Sequence, residues 1–328
     1  MSSIPHPFSF DPTYGYSPDQ LLSITHADSE PSGFVDFWRE LKEKSDHTPL
    51  EISTEEVPSP DPAFRLMKVY YTVYPDYRVG AWMICPTDSA GIRFGIVCGH
   101  GYGGRDEPEW DQAALDRIVI FPVAPGFQIS ANSQLPINDS SRHVIHGIDD
   151  KETYVLGPCA CAFWRAIDVL EAVSPRPLEK FHYCGWSFGG GIGALMLPWE
   201  PRFTSAELGQ PTFGNHPVRL RSECVGSGEA VRQLHASRPQ IARTLAFFDA
   251  AIAARYLKIP VVFACATFDP AVPPPGQFSV ANAHPGPKRL SIFLTGHFDD
   301  AHAGAPYEER LHRENLRELI GPAACPDQ

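Results

Sequence analysis

The chain has 328 residues and a formal net charge of −12, from 39 acidic and 27 basic side chains. No run of Lys and Arg forms the basic patch that nucleic acid requires, and no apolar stretch reaches the roughly 18–20 residues of a membrane span. Its 33 prolines, about twice ordinary usage, exclude a helical bundle, because proline breaks helix interiors.

In chain order, residues 1–60 are polar, acidic and rich in Pro and Ser. One amphipathic helix is expected there, Ser32–Lys44, with Phe34, Phe37, Trp38 and Leu41 at helical spacing. The expected organisation is an N-terminal extension, 1–60, packed on a catalytic domain, 61–328. Leu66–Tyr74 and Val79–Cys85 read as a hairpin around Pro75-Asp76. Short apolar strands follow at Phe94–Cys98, Ile118–Val123, Phe181–Cys184, Ile259–Ala266 and Leu290–Leu294. Helices are expected at Cys159–Val173, Phe188–Leu197, Arg243–Leu257 and Tyr307–Leu319. This alternation predicts an α/β fold with a mostly parallel central sheet and helices on both faces.

The segment MSSIPHPFSF, Met1–Phe10, lacks a basic stretch followed by an apolar one, so no signal peptide is expected and the location reads as cytoplasmic. The cysteines, Cys85, Cys98, Cys159, Cys161, Cys184, Cys224, Cys265 and Cys325, contain no C-x-x-C pair. They read as buried free thiols of a reducing compartment.

Gly185-Trp186-Ser187-Phe188-Gly189 fits G-x-S-x-G with a strand before it and a helix after it. That context is what a nucleophile elbow needs, a sharp turn that projects its serine above the sheet. A serine hydroxyl is a weak nucleophile without a histidine base, itself oriented by a carboxylate. Asp269 and His297 follow in the order Ser, Asp, His, each just past an apolar strand. Asp299, Asp300, His302 and His284 are the rival positions.

Gly99-His100-Gly101-Tyr102-Gly103-Gly104 also fits the dinucleotide pattern G-x-G-x-x-G. The next strand ends IVIFPVAP with no acidic residue for a ribose, and Asp106-Glu107-Pro108-Glu109 stands where a helix should open. The better reading is an oxyanion loop, with no cofactor. Its backbone N–H, together with the Phe188 N–H, would hold a tetrahedral oxyanion, and the Tyr102 hydroxyl is an alternative donor. His143, His146, Asp149, Asp150, Cys159 and Cys161 complete no zinc spacing, so no metal is expected. Trp186 and Phe213 are candidate acyl-pocket aromatics. Pro270 and Pro273–Pro275 are expected to stiffen the loop after Asp269.

These segments resemble the acetyl xylan esterase and cephalosporin C deacetylase family of α/β-hydrolases. The likeness is carried by FVDFWRELK (Phe34–Lys42), CGHGYGGR (Cys98–Arg105), Gly185–Gly191, TLAFFDAAIAARYLKIP (Thr244–Pro260), TFDPAVPPP (Thr267–Pro275) and PGPKRL (Pro285–Leu290). The resemblance implies a serine esterase that removes acetyl groups from sugars or small hydroxylated molecules, the alternatives being another hydrolase of this fold (a peptidase or longer-chain esterase) or a non-catalytic binding protein. Ser187, Asp269 and His297 would be catalytic, and Tyr102 and Phe188 would bind the oxyanion. The implied partners are the acetyl ester substrate and further copies of the chain, with no nucleic acid and no membrane. Three places depart from the family pattern: Ala124-Pro125-Gly126-Phe127-Gln128 lacks its arginine, and Phe188 and Phe298 replace its usual glutamine and glutamate. The Ile129–Gly147 segment is shorter than the loop that helps build the family's hexameric ring.

Overall fold

The computed structural model describes residues 4–26, 30–298 and 304–323. Helices α1 (Pro18–Ser23) and α2 (Phe34–His47) precede strand β1 (Ser53–Val57). Strands β2 (Phe64–Val73) and β3 (Tyr77–Pro86) pair antiparallel as the expected hairpin. Then come β4 (Phe94–Gly99), β5 (Arg117–Pro122), the single turn α3 (Ser140–His143), α4 (Leu156–Val173), β6 (Lys180–Trp186) and α5 (Phe188–Met196). Strand β7 (Phe203–Gly209) leads into α6 (His216–Arg219), α7 (Gly228–Ser237), α8 (Ala242–Phe247) and α9 (Ala250–Ala253). The described chain closes with β8 (Val261–Phe268), α10 (Pro274–Ala283), β9 (Lys288–Thr295) and α11 (Ala305–Leu319).

The nine strands form one sheet in the order β1-β2-β3-β5-β4-β6-β7-β8-β9. Pairing is antiparallel from β1 to the β3–β5 contact and parallel from β5 through β9. Parallel strands buried on both faces need apolar residues in both phases. Along β5, Ile118 and Ile120 enter the larger core with α2, α4, α5, α9 and α10, while Val119 and Phe121 face a smaller core reached by Ile320 and Ala323. Helix α4 ends where Ser174 turns extended before Pro175, which disfavours a helical residue in front of it. Its Trp164 is fully buried, and the indole N–H donates to the Met196 carbonyl at 2.9 Å. Helix α2 buries Phe34, Phe37, Trp38 and Leu41, as their spacing predicts. Trp38 donates to the Phe247 carbonyl at 2.9 Å.

The sequence reading left out α1, α3, α6 and α7, and four further elements differ from it. The exposed, charged strand β1 forms the sheet edge within residues 1–60. Strand β7 fills the place between β6 and β8. The helix expected over Arg243–Leu257 breaks at Asp249, whose extended backbone and side chain cap α9. Pro274 and Pro275 do not sit in a loop but open α10, where a missing N–H costs nothing.

Candidate active site

The elbow is a sharp junction between β6 and α5. Ser187 joins β6 to α5 at φ 57°, ψ −112°, a backbone region that side-chain-bearing residues avoid. The surroundings over-determine it. Ser187 N–H donates to the Gly209 carbonyl at 2.8 Å, and its own carbonyl accepts from the Gly191 and Thr212 N–H groups. A Cβ at Gly185 would lie 2.7 Å from the Gly189 carbonyl carbon, and one at Gly189 would lie 2.8 Å from that of Gly99. Both contacts are with backbone that cannot move aside, so only glycine lets the turn fold this sharply between β4 and β7.

Asp269 follows β8 and is fully buried. Four donors satisfy its carboxylate. Ala271 N–H and Val272 N–H reach Oδ1 at 2.9 Å each, and Gln277 Nε2–H reaches Oδ2 at 2.9 Å. His297, just past β9, donates Nδ1–H to Oδ2 at 2.8 Å. With the proton on Nδ1, Nε2 is left as an acceptor. Ser187 and His297 line one cleft of about 230 Å³ with Tyr102, Ser140, Thr212 and Ser227. No hydrogen bond joins Ser187 Oγ to His297 among the described residues. A larger cavity of about 550 Å³ lies along the segment from Ile4 to Pro18 and contains neither of them. That segment braces the acid loop instead. The Pro12 carbonyl accepts the Asp269 N–H at 3.1 Å, and Tyr14 donates to the Glu223 carbonyl at 2.7 Å.

The loop after β4 faces the elbow, with Gly189 N–H donating to the His100 carbonyl at 2.8 Å. Burial pushes His100 down to about 3, so its ring is neutral. Its Nδ1–H donates to the Gly101 carbonyl at 2.6 Å, and Nε2 accepts the Ala124 N–H at 2.9 Å. The buried Arg105 ties the loop back to the Cys98 carbonyl at 2.8 Å. Gln128 adds two further ties, accepting the Arg105 N–H at 3.0 Å and donating to the Gly103 carbonyl at 2.9 Å. Among the described residues no acceptor is paired with the backbone N–H of Tyr102 or of Phe188.

The Tyr102 hydroxyl has another partner. His143 Nε2 lies 2.8 Å from the Pro125 carbonyl and must donate to it, which leaves Nδ1 to accept from Tyr102 at 3.0 Å. Burial lowers His143 to about 4 and pushes the Tyr102 phenol well above its ordinary value, so both stay neutral. Tyr102 therefore has its backbone N–H, not its hydroxyl, to offer the cleft. The ring itself packs 4.4 Å from Phe188.

Other sequence expectations fall elsewhere. Trp186 turns away from the cleft, donating to Glu207 at 2.9 Å and packing on Phe293 and His312. Phe213 is buried core behind Phe188 and Tyr102. His284 is buried beside Phe263, with Nε2 toward the Pro287 carbonyl. Phe298 packs on Phe8 and Phe268. Asp299, Asp300, His302 and Cys325 lie outside the described residues. Sequence reasoning missed Gln277 altogether, and named Gln128 and His143 without their roles in holding the loop and the Tyr102 hydroxyl. Only the short spacing from Asp269 to Gln277 could have hinted at any of them.

The acetyl xylan esterase family profile matches residues 16–219. Acetyl esterase Axe7A of Xylanibacter ruminicola is 25% identical over 289 residues, covering 85% of this chain and 65% of that protein. The chain thus spans less than two thirds of the length of this relative. Among solved structures, an acetyl xylan esterase from Paenibacillus sp. R4 superposes with a TM-score of 0.79 at 19% identity, over 93% of this chain and 100% of that one. Acetyl xylan esterase 1 from Thermoanaerobacterium sp. JW/SL YS485 gives 0.77 at 15% identity, over 92% and 98%. An acylaminoacyl peptidase of Pyrococcus horikoshii gives 0.53 at 12% identity, over 85% of this chain and 49% of that one. At these identities the structures show the shared α/β-hydrolase fold.

Proposed function

Since the chain belongs to the acetyl xylan esterase family, we propose that it is a serine carboxylesterase that removes acetyl groups from sugars or small hydroxylated molecules. The observation that carries this reading is the His297–Asp269 hydrogen bond beside an elbow serine in one cleft. Ser187 Oγ attacks the ester carbonyl while His297 Nε2 takes its proton. The backbone N–H groups of Phe188 and Tyr102 hold the oxyanion. His297 then protonates the leaving alcohol, and water hydrolyses the acyl-enzyme by the same route. Asp269 fixes the tautomer and stabilises the imidazolium.

Cleft size and polarity support the substrate class. About 230 Å³ lined by Ser140, Ser141, Thr212 and Ser227 suits a small acyl group and a hydroxylated alcohol. A panel of acetyl, butyryl and octanoyl esters tests this. The expected kcat/KM is at least about tenfold higher for acetyl than for octanoyl, since an unaccommodated chain costs several methylene contacts. A preference for octanoyl, or for aminoacyl amides, rejects the reading. A fluorophosphonate probe should label Ser187 and no other serine.

Tyr102→Phe separates the two possible oxyanion donors. With a backbone donor, turnover of an acetate ester stays within about threefold of wild type. Removing a side-chain donor would cost about 10²–10³ in kcat, and a loss of that size would place the hydroxyl in the hole.

A further inference from the structure

Behind the oxyanion loop lies a separate cavity of about 290 Å³, walled by Cys98, Arg105, Cys184, Trp186 and Glu207. Here β4 and β6 run parallel, with Cys98 directly opposite Cys184 in the register. Their sulfurs lie 2.8 Å apart. Adjacent strands hold facing Cα atoms about 4.8 Å apart, inside the roughly 4.4–6.8 Å that a disulfide spans. Cys184 is half-buried at the cavity wall and Cys98 is buried. The other described cysteines, Cys85, Cys159, Cys161, Cys224 and Cys265, are buried, and none is hydrogen-bonded to a second sulfur.

We propose that Cys98 and Cys184 are a modification site, a thiol pair that hydrogen peroxide oxidises reversibly to a disulfide. The bond would tie the strand of the oxyanion loop to the strand of the nucleophile elbow. The chemistry balances with one peroxide. The sulfur of Cys184, the less buried residue of the pair, breaks the O–O bond and becomes a sulfenic acid, releasing one water. The Cys98 sulfur then attacks the Cys184 sulfur. The S–O bond breaks, and the departing hydroxide takes the Cys98 proton as a second water. The two thiols lose two electrons and two protons, and peroxide is reduced to two waters. The hydrogen bond with Cys98 and burial push the Cys184 thiol up. Little thiolate is therefore present, and the first step is slow. The pair responds to sustained millimolar peroxide rather than to traces.

The position gives the bond a mechanical consequence. Cys98 directly precedes the Gly99–Gly104 loop, and Cys184 stands three residues before Ser187. The two segments already share the Gly189–His100 hydrogen bond. The two cysteines are 86 residues apart in sequence, so the cross-link closes a long loop in the unfolded chain. It should raise the melting temperature by about 5 °C or more.

The test uses the full chain treated with millimolar peroxide, denatured in an alkylating agent and digested without reductant. Mass spectrometry should find the Cys98 peptide linked to the Cys184 peptide. Two alkylatable thiols should be lost, with the rise in melting temperature, and dithiothreitol should reverse all three changes. Cys98→Ala and Cys184→Ala should each abolish the link and the thermal shift. The proposal is overturned by sulfinic or sulfonic acid at Cys184 without a linked peptide. It is equally overturned if both thiols remain alkylatable in wild-type protein, or if the thermal shift survives in Cys184→Ala. None of these readouts depends on the esterase reading.

Discussion

Ser187→Ala is expected to lower kcat on an acetate ester by at least roughly 10⁴-fold, because variants lacking the nucleophile of such a unit keep only what binding and the oxyanion donors supply. The variant isolates the hydroxyl cleanly. Ser187 already sits at φ 57°, and alanine meets the same backbone restriction there, so the elbow has no new reason to move. The side chain is half-buried, and its Oγ takes part in no hydrogen bond among the described residues. The melting temperature should therefore stay within about 1 °C, as for substitutions that disturb no packing or buried polar group. Turnover of p-nitrophenyl acetate, thermal unfolding and fluorophosphonate labelling check the three statements together. Near wild-type turnover by a folded Ser187→Ala protein would reject a serine mechanism outright.

The elements most legible in the sequence are those whose local pattern decides their partners. FGIVC and IVIFPV are short apolar runs rich in β-branched and aromatic residues, which favours strands covered on both faces, as β4 and β5 are. Strand β7 escaped because FTSAELG carries two polar residues into the sheet interior. Their acceptability depends on distant partners. Ser205 is hydrogen-bonded to His182, and Glu207 is held by Trp186 and by His312 of α11. No local window contains those contacts. The prolines after Asp269 misled for a related reason. Composition reads them as loop, whereas their place at the first turn of α10 depends on where the helix begins. The same limit applies at the site. The chain order locates Asp269 and His297 past β8 and β9, but the direction of a side chain is a tertiary fact. Trp186 faces Glu207 rather than the cleft, the Tyr102 hydroxyl faces His143, and Gln277 reaches back from α10 to the carboxylate of the preceding loop.

Gln277 makes Asp269→Asn the sharpest test of the proposed base. Asparagine matches aspartate in shape, so the question is which of its ends faces which donor. At Oδ1 the Ala271 and Val272 N–H groups, fixed backbone donors, demand an oxygen. The amide nitrogen must then take the Oδ2 place, against Gln277 Nε2 and His297 Nδ1. Gln277 cannot turn over to accept it. Its Nε2 also donates to the Val272 carbonyl at 2.7 Å, and its Oε1 accepts the Ala266 N–H at 2.8 Å. One buried donor–donor clash therefore stands, at a cost of about 1–3 kcal/mol. His297 is pushed to accept at Nδ1, which places its proton on Nε2, where the serine proton should go. A base in the wrong tautomer should lower kcat by about 10⁴-fold with little change in KM. Steady-state kinetics and thermal unfolding of Asp269→Asn read both effects, and fluorophosphonate labelling should slow in step with kcat. Turnover within tenfold of wild type would show that His297 does not depend on Asp269 for its tautomer.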